Sequence, residues 1–169
     1  MTAQTQQLFS GKGVIGSCKL QAANTATDGT GTLDAAGNAT STTGHLGTLF
    51  EADATNGGRV ERIRCMAEGT NVATVLRIFV NNGSTNATAT NNRLIAEVAL
   101  PATTGSSSAV INSLIIELPV PQHMLTSTSD ATAFPIVLGP GEKLMACLGT
   151  AVASWWDITA FGGSYAAAP

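Results

Sequence analysis

A chain of 169 residues with 44% hydrophobic, 5% aromatic and 11% charged residues and a net charge of -3 has enough apolar content for one core and too little charge for a disordered polymer. Eight scattered Lys and Arg residues exclude a dedicated nucleic-acid binder, which needs clustered cations against phosphate. No apolar run reaches the roughly 20 residues that cross a bilayer as a helix.

The amino-terminal MTAQTQQLFS lacks the basic and apolar regions of a secretory signal, which reads as a protein made in a cytoplasm. GKGVIG, residues 11–16, matches G-x-G-x-x-G. A dinucleotide site needs a strand before those glycines and a helix after them, whereas VIGSCKL continues as a strand over 14–20. Residues 22–44 are almost wholly Ala, Thr, Gly, Asn, Ser and Asp, with Leu33 the lone large apolar side chain. They predict a long loop or an extended polar arm.

Further strands are predicted at 47–52, 60–67, 74–80, 93–100, 110–118, 134–138, 143–148 and 155–161, separated by turn residues and without helical periodicity. In 74–80, Leu76, Ile78 and Val80 share a face with Arg77 opposite. In 93–100, Leu94, Ala96, Val98 and Leu100 oppose Glu97. The Asn- and Thr-rich stretch between them is too long for a two-residue turn and reads as the tip of an antiparallel pair. VINSLIIELP and LMACLG are apolar on both faces, which implies a covering layer or a subunit contact. Gly139, Pro140 and Gly141 predict a tight hairpin. The fold class is all-β: an antiparallel sandwich of eight or nine strands in one domain, residues 1–45 supplying a strand and the polar arm and 46–169 the sandwich.

Chemical signatures are sparse. His45 and His123 have no ligand-type residue at metal spacing. Asp28, Asp34 and Asp53 lack the calcium-loop pattern, and no nucleophile motif or carboxylate pair occurs. Catalytic, cofactor and metal residues are therefore none, and the chain does not read as an enzyme. The sequons at Asn38, Asn82 and Asn86 follow from composition. Arg59, Arg62 and Arg64, beside Glu51 and Glu61, read as a solvated strand face or as a docking surface for an acidic partner. Trp155 and Trp156 would point to opposite faces of a strand, one into the core and the other toward a neighbouring subunit. Cys18, Cys65 and Cys147 read as buried free thiols, or as thiols of which one pairs across a subunit boundary.

ATVLRIFVNNGSTNATATNNRLIAEVALPATT and FPIVLGPGEKLMACLGTAVASWWDITAFGGSY, within residues 58–165, resemble small all-β proteins encoded among the structural genes of tailed bacteriophages and prophages. LGPGEKL also resembles the Leu-x-x-Gly-Asp/Glu-x-Leu turn of trimeric jelly rolls, with Gly141, Glu142 and Leu144 at the matching positions. The resemblance implies a jelly roll and a capsid decoration (cement) protein, or a collar, tail or fibre component that binds a receptor or glycan. It also implies a homotrimer on the outer capsid surface of a virion, partnered by its own copies and the major capsid protein, with no direct nucleic acid, membrane or cofactor.

Overall fold

Alternating apolar side chains and glycine- or asparagine-bearing turns divide the chain into short strands that pair across long sequence distances. The computed structural model describes residues 10–34, 38–39, 45–105, 114–116 and 135–165. Its strands are β1 (Ser10–Leu20), β2 (Thr32–Asp34), β3 (Asn38–Ala39), β4 (His45–Glu51), β5 (Gly58–Ala67), β6 (Thr74–Asn81), β7 (Asn92–Leu100), β8 (Leu114–Ile116), β9 (Ile136–Leu138), β10 (Lys143–Leu148) and β11 (Trp156–Tyr165). A three-residue 3-10 turn, Ala89–Asn91, is the one helical element among the described residues. No helix there is long and apolar enough to cross a membrane.

Two sheets form. The first runs β3-β1-β11-β5-β8, with β9 sharing the β5 edge; the second runs β2-β4-β10-β6-β7. Pairing is antiparallel except for β1 with β3 and β2 with β4. In the first sheet β1 and β11 pair from Ser10↔Tyr165 to Leu20↔Trp156. Each predicted strand coincides with an observed one, while β2 and β3 arise inside the stretch expected to lack structure. The predicted strand at 110–118 is described only at 114–116.

The sheets enclose a core that includes Leu20, Leu49, Val60, Ile63, Leu76, Ile78, Leu144, Leu148, Trp156 and Ile158, all 1% exposed or less. Full burial of a side chain of this size contributes about 1.5–3 kcal/mol. As predicted, Leu76, Ile78 and Val80 pack on that core and Arg77 faces out, pairing with Glu97 at 2.8 Å. On β7 the expectation needs correcting. A register shift between Ile78 and Phe79 makes Ile95 an extra residue, so Ile95, Ala96 and Val98 pack inward while Leu94 pairs with the outward Phe79 and is 40% exposed. A bulge reverses the alternation on one side of itself.

The expected extended arm is corrected for residues 22–34, which lie along the outer face of the second sheet. Leu46, Phe79, Met145 and Cys147 form a second small core there, with Leu33 packed on it. Gly29, at φ 74°, sits where a Cβ would lie 2.9 Å from Phe79 Cδ1 and 2.8 Å from Asn92 Cβ, so only glycine fits the conformation and the space. The Asn24 N–H donates to the Leu148 carbonyl (2.7 Å), Asn24 Nδ2 to the Thr30 carbonyl (3.0 Å), and Asn24 Oδ1 accepts from the Ala26 N–H (2.9 Å). Asn86, at the β6–β7 tip, donates to the Gly31 carbonyl (2.6 Å). The two-sided apolarity of LMACLG is thus explained within the chain: Leu144, Ala146 and Leu148 face the main core, and Met145 and Cys147 lie under the 22–34 segment.

The Gly139–Gly141 turn is also corrected. β9 pairs with β5 in the first sheet, whereas β10 pairs with β4 and β6 in the second. The turn is a corner between sheets, not a hairpin. Gly141 at φ 73° and Glu142, whose carboxylate accepts from the Gly139 N–H at 2.7 Å and whose own N–H donates to the Gly139 carbonyl at 3.2 Å, turn the chain sharply. The strands leaving it then diverge.

Candidate functional site

The outer face of the second sheet is covered over β10; among the described residues no segment covers that of the first across β1, β11 and β5. Lys12, Lys19, Arg59, Arg62 and Arg64, five of the eight basic residues, lie on β1 and β5 of this sheet. A bulge organises its centre. Arg62 pairs with Phe161 and Val60 with Gly162, leaving Glu61 as the extra residue. Val60, Ile63 and Cys65 then face the core while Glu61, Arg62 and Arg64 are exposed. The glycines after Phe161 make the bulge possible: a Cβ on Gly162 would lie 3.0 Å from both the Arg59 carbonyl carbon and Val60 Cα.

Cross-strand register brings together residues from three strands. Ile15 pairs with Phe161, and Phe161 with Arg62; Thr159 stands opposite Arg64. The Arg62 guanidinium carbon lies 4.6 Å from the Phe161 ring centroid and that of Arg64 5.8 Å. Both lie within the range in which a ring quadrupole attracts a cation. Ile15 is 69% exposed, and Val137, paired with Arg59 at the β9 edge, 64%.

Ion pairing on the sheet is selective. Lys19 pairs with Glu68 and Arg59 with Glu61, and the Glu68 hydrogen bond raises the Lys19 pKa. Among the described residues Arg62 and Arg64 have no carboxylate partner; their neighbour is an aromatic ring. Phe161, Arg62, Arg64 and exposed aliphatic side chains give this face the composition of an interface centre, where aromatics and Arg are enriched.

The other expected sites separate. Trp156 opens β11 and is fully buried in the core, which removes it as an interface candidate. Trp155 precedes the strand, half-buried, its carbonyl accepting from the Glu68 N–H at 2.9 Å. Of the pair, then, one fills the core and the other does not. Cys18, Cys65 and Cys147 are free and at most 2% exposed. Burial raises all three thiol pKa values: Cys18 above the ordinary thiol range, Cys65 to about 12 and Cys147 to about 11. An inter-subunit disulfide would first require a thiol to be uncovered, for Cys147 by displacing the 22–34 segment.

His45 is half-buried, its Nδ1 without a hydrogen-bond partner among the described residues; His123 lies outside the described residues. Asp28 accepts from the Thr30 hydroxyl (2.7 Å) and N–H (2.9 Å), and Asp53 from the N–H groups of Asn56 (2.8 Å) and Thr55 (2.9 Å). These bonds hold both carboxyls below their usual range, as turn-capping aspartates. Of Asp34 only the backbone is described. Among the described residues no three His, Cys, Asp or Glu side chains gather as a metal site. An open depression beside Ala73, Val75, Leu100, Pro101 and Thr150 offers no acid or base.

Sequence reasoning singled out the arginines but missed Ile15, Val137 and above all Phe161. The only signal was alternation in DITAF, which puts Phe161 on the face opposite Ile158 and Ala160. Its arginine neighbours depend on cross-strand register. No protein-family model, curated protein or solved structure matches the chain.

Proposed function

We propose that this chain is a bacteriophage virion structural protein of the decoration type. In this reading it is a jelly roll that assembles as a homotrimer and docks on the outer capsid surface through the exposed face of its first sheet. The observation that carries the reading is that face: Arg62 and Arg64 flank Phe161, exposed Ile15 pairs with Phe161, and exposed Val137 stands opposite Arg59 on the same sheet. An apolar and cationic surface of this kind suits a lasting contact with a protein lattice.

The strand pairing supports the jelly-roll part. β1 pairs with β11, β4 with β10, β5 with β8 and β9, and β6 with β7, all antiparallel. This is one long ribbon, outward through β1, β4, β5 and β6 and back through β7 to β11. Rolled up, its pairs alternate between two sheets, as in a jelly roll. The resemblance over residues 58–165 supports the phage setting.

Quantitative gels of purified virions test the role. A decoration protein is present at on the order of hundreds of copies per particle, as the symmetry of a capsid lattice requires. About a dozen copies or fewer would move the chain to a collar, tail or fibre, and absence from the particle would overturn the reading.

A further inference from the structure

Two exposed guanidinium groups at alternate positions on one strand set a spacing for whatever they bind. Arg62 and Arg64 lie on the same side of β5 with Cα atoms roughly 7 Å apart. The Phe161 ring beside them localises both cations. Lys19, Arg59, Arg77 and Lys143 each have a carboxylate partner. Arg62 and Arg64 have none among the described residues. A guanidinium is a planar fork that matches a carboxylate with two parallel hydrogen bonds.

We propose that Arg62, Phe161 and Arg64 form a recognition site for an extended protein segment carrying carboxylates at positions i and i+2. In an extended chain, side chains two residues apart share a side and a spacing of roughly 7 Å, so such a segment laid along β5 gives each arginine one carboxylate. Apolar residues next to the acidic pair meet Ile15, on β1 beside Phe161, and Val137, opposite Arg59 beyond the Glu61 bulge. The other acidic groups of this face are already engaged or lie beyond the pair: Glu61 with Arg59, Glu68 with Lys19, and Asp157 opposite Met66. A single-stranded nucleic acid fits less well. The chain has a net charge of -3, and strand-tracking sites use several stacking aromatics along a basic groove, whereas Arg62 and Arg64 share the single ring of Phe161.

The inference rests on the reading of this face as the attachment surface, yet the two fail separately. The test is an amide NMR titration of the full chain at low salt. The probes are three short peptides of identical composition, with aspartates at i and i+2, at i and i+1, or at i and i+5, and oligothymidylate. Expected are shifts centred on Arg62, Arg64, Phe161 and Thr159, with about two- to five-fold tighter binding of the i, i+2 peptide, since each other spacing forfeits one exposed ion pair. Binding should vanish toward ~1 M salt, where screening acts within about 3 Å. The Arg62→Gln/Arg64→Gln variant should lose it, and Phe161→Leu, which keeps apolar area but no ring, should weaken it several-fold. Equal affinity for the three spacings, shifts centred elsewhere, no binding, or tighter binding of oligothymidylate would each overturn the proposal. Spacing selectivity in a protein absent from virions would overturn only the capsid role, and capsid attachment without spacing selectivity only this inference.

Discussion

Replacing Gly16 with alanine probes a close approach of the two sheets. Gly16 lies on β1, paired with Ala160 of β11. A Cβ there would press on the Leu49 carbonyl oxygen and stand 3.1 Å from both the Leu49 carbonyl carbon and Phe50 Cα. The obstacle is backbone of β4 in the opposite sheet, which cannot rotate away as a side chain can. One sheet must therefore shift against the other by roughly 1 Å, and the cost belongs at the upper end of the overpacking range, about 3 kcal/mol. With a urea m-value of about 2 kcal/mol/M, the unfolding midpoint should fall by about 1.5 M. Gly13→Ala is the internal control, because a Cβ at Gly13 meets nothing within 4 Å; its midpoint should hold or rise slightly. A Gly16→Ala midpoint within about 0.3 M of the parent, or an equal loss at Gly13, would refute the reasoning. The glycines of GKGVIG then need another explanation.

Removing the cover over the second core should destabilise and expose at once: Leu33→Ala should cost about 1–2 kcal/mol, less than a fully buried leucine, and speed thiol labelling of Cys147. Unchanged labelling in the variant would mean that Leu33 does not guard Met145 and Cys147. In the parent, all three thiols should react with a disulfide reagent at pH 8 only at the rate of opening, since burial holds Cys65 at about 12 and Cys147 at about 11; rapid reaction of any one in native protein would contradict its placement. Asp53 has its pKa depressed by the Asn56 and then the Thr55 N–H groups. Its contribution is therefore present above its ordinary 3.8 and is lost as pH falls through the lower folded value. Asp53→Ala should lower the urea midpoint at neutral pH, with the gap to the parent narrowing below about pH 4; a gap that stays constant through acid would show that the charge is not what matters. Light scattering should give three times the 17.1 kDa chain mass, and a strictly monomeric protein at capsid-like concentrations would remove the homotrimer.

Strand identity was legible because period-two alternation and turn residues are local. Leu76, Ile78 and Val80 declared their face from spacing alone. Partner choice was not local. Gly139–Gly141 looks like a hairpin because the turn chemistry is that of one, but β9 finds β5 and β10 finds β4 and β6, and no residue near the turn encodes those pairings. Bulges escaped for a related reason: the extra residues Ile95 and Glu61 are defined only against a partner strand, and each inverts the faces on one side of itself. That the polar 22–34 stretch packs on the sheet, and is no extended arm, was not legible because its fit depends on what it avoids, a missing side chain at Gly29 and an Asn24 that satisfies backbone groups, with Leu33 the single large apolar anchor. The arginines of the candidate site were visible by charge, whereas Phe161 entered it only through register with β5.

The pairing of Ser10 with Tyr165 has a mechanical consequence. The described chain enters and leaves the sandwich at one corner, on adjacent antiparallel strands, so tension applied at those two residues loads the β1–β11 ladder as a zipper. Its hydrogen bonds would break one after another, starting beside the register slip at Ser10 and Lys12. A fibre that must bear a steady pull would gain from loading those bonds in parallel. This geometry suits a part that is pressed against its neighbours and rarely stretched between its own ends.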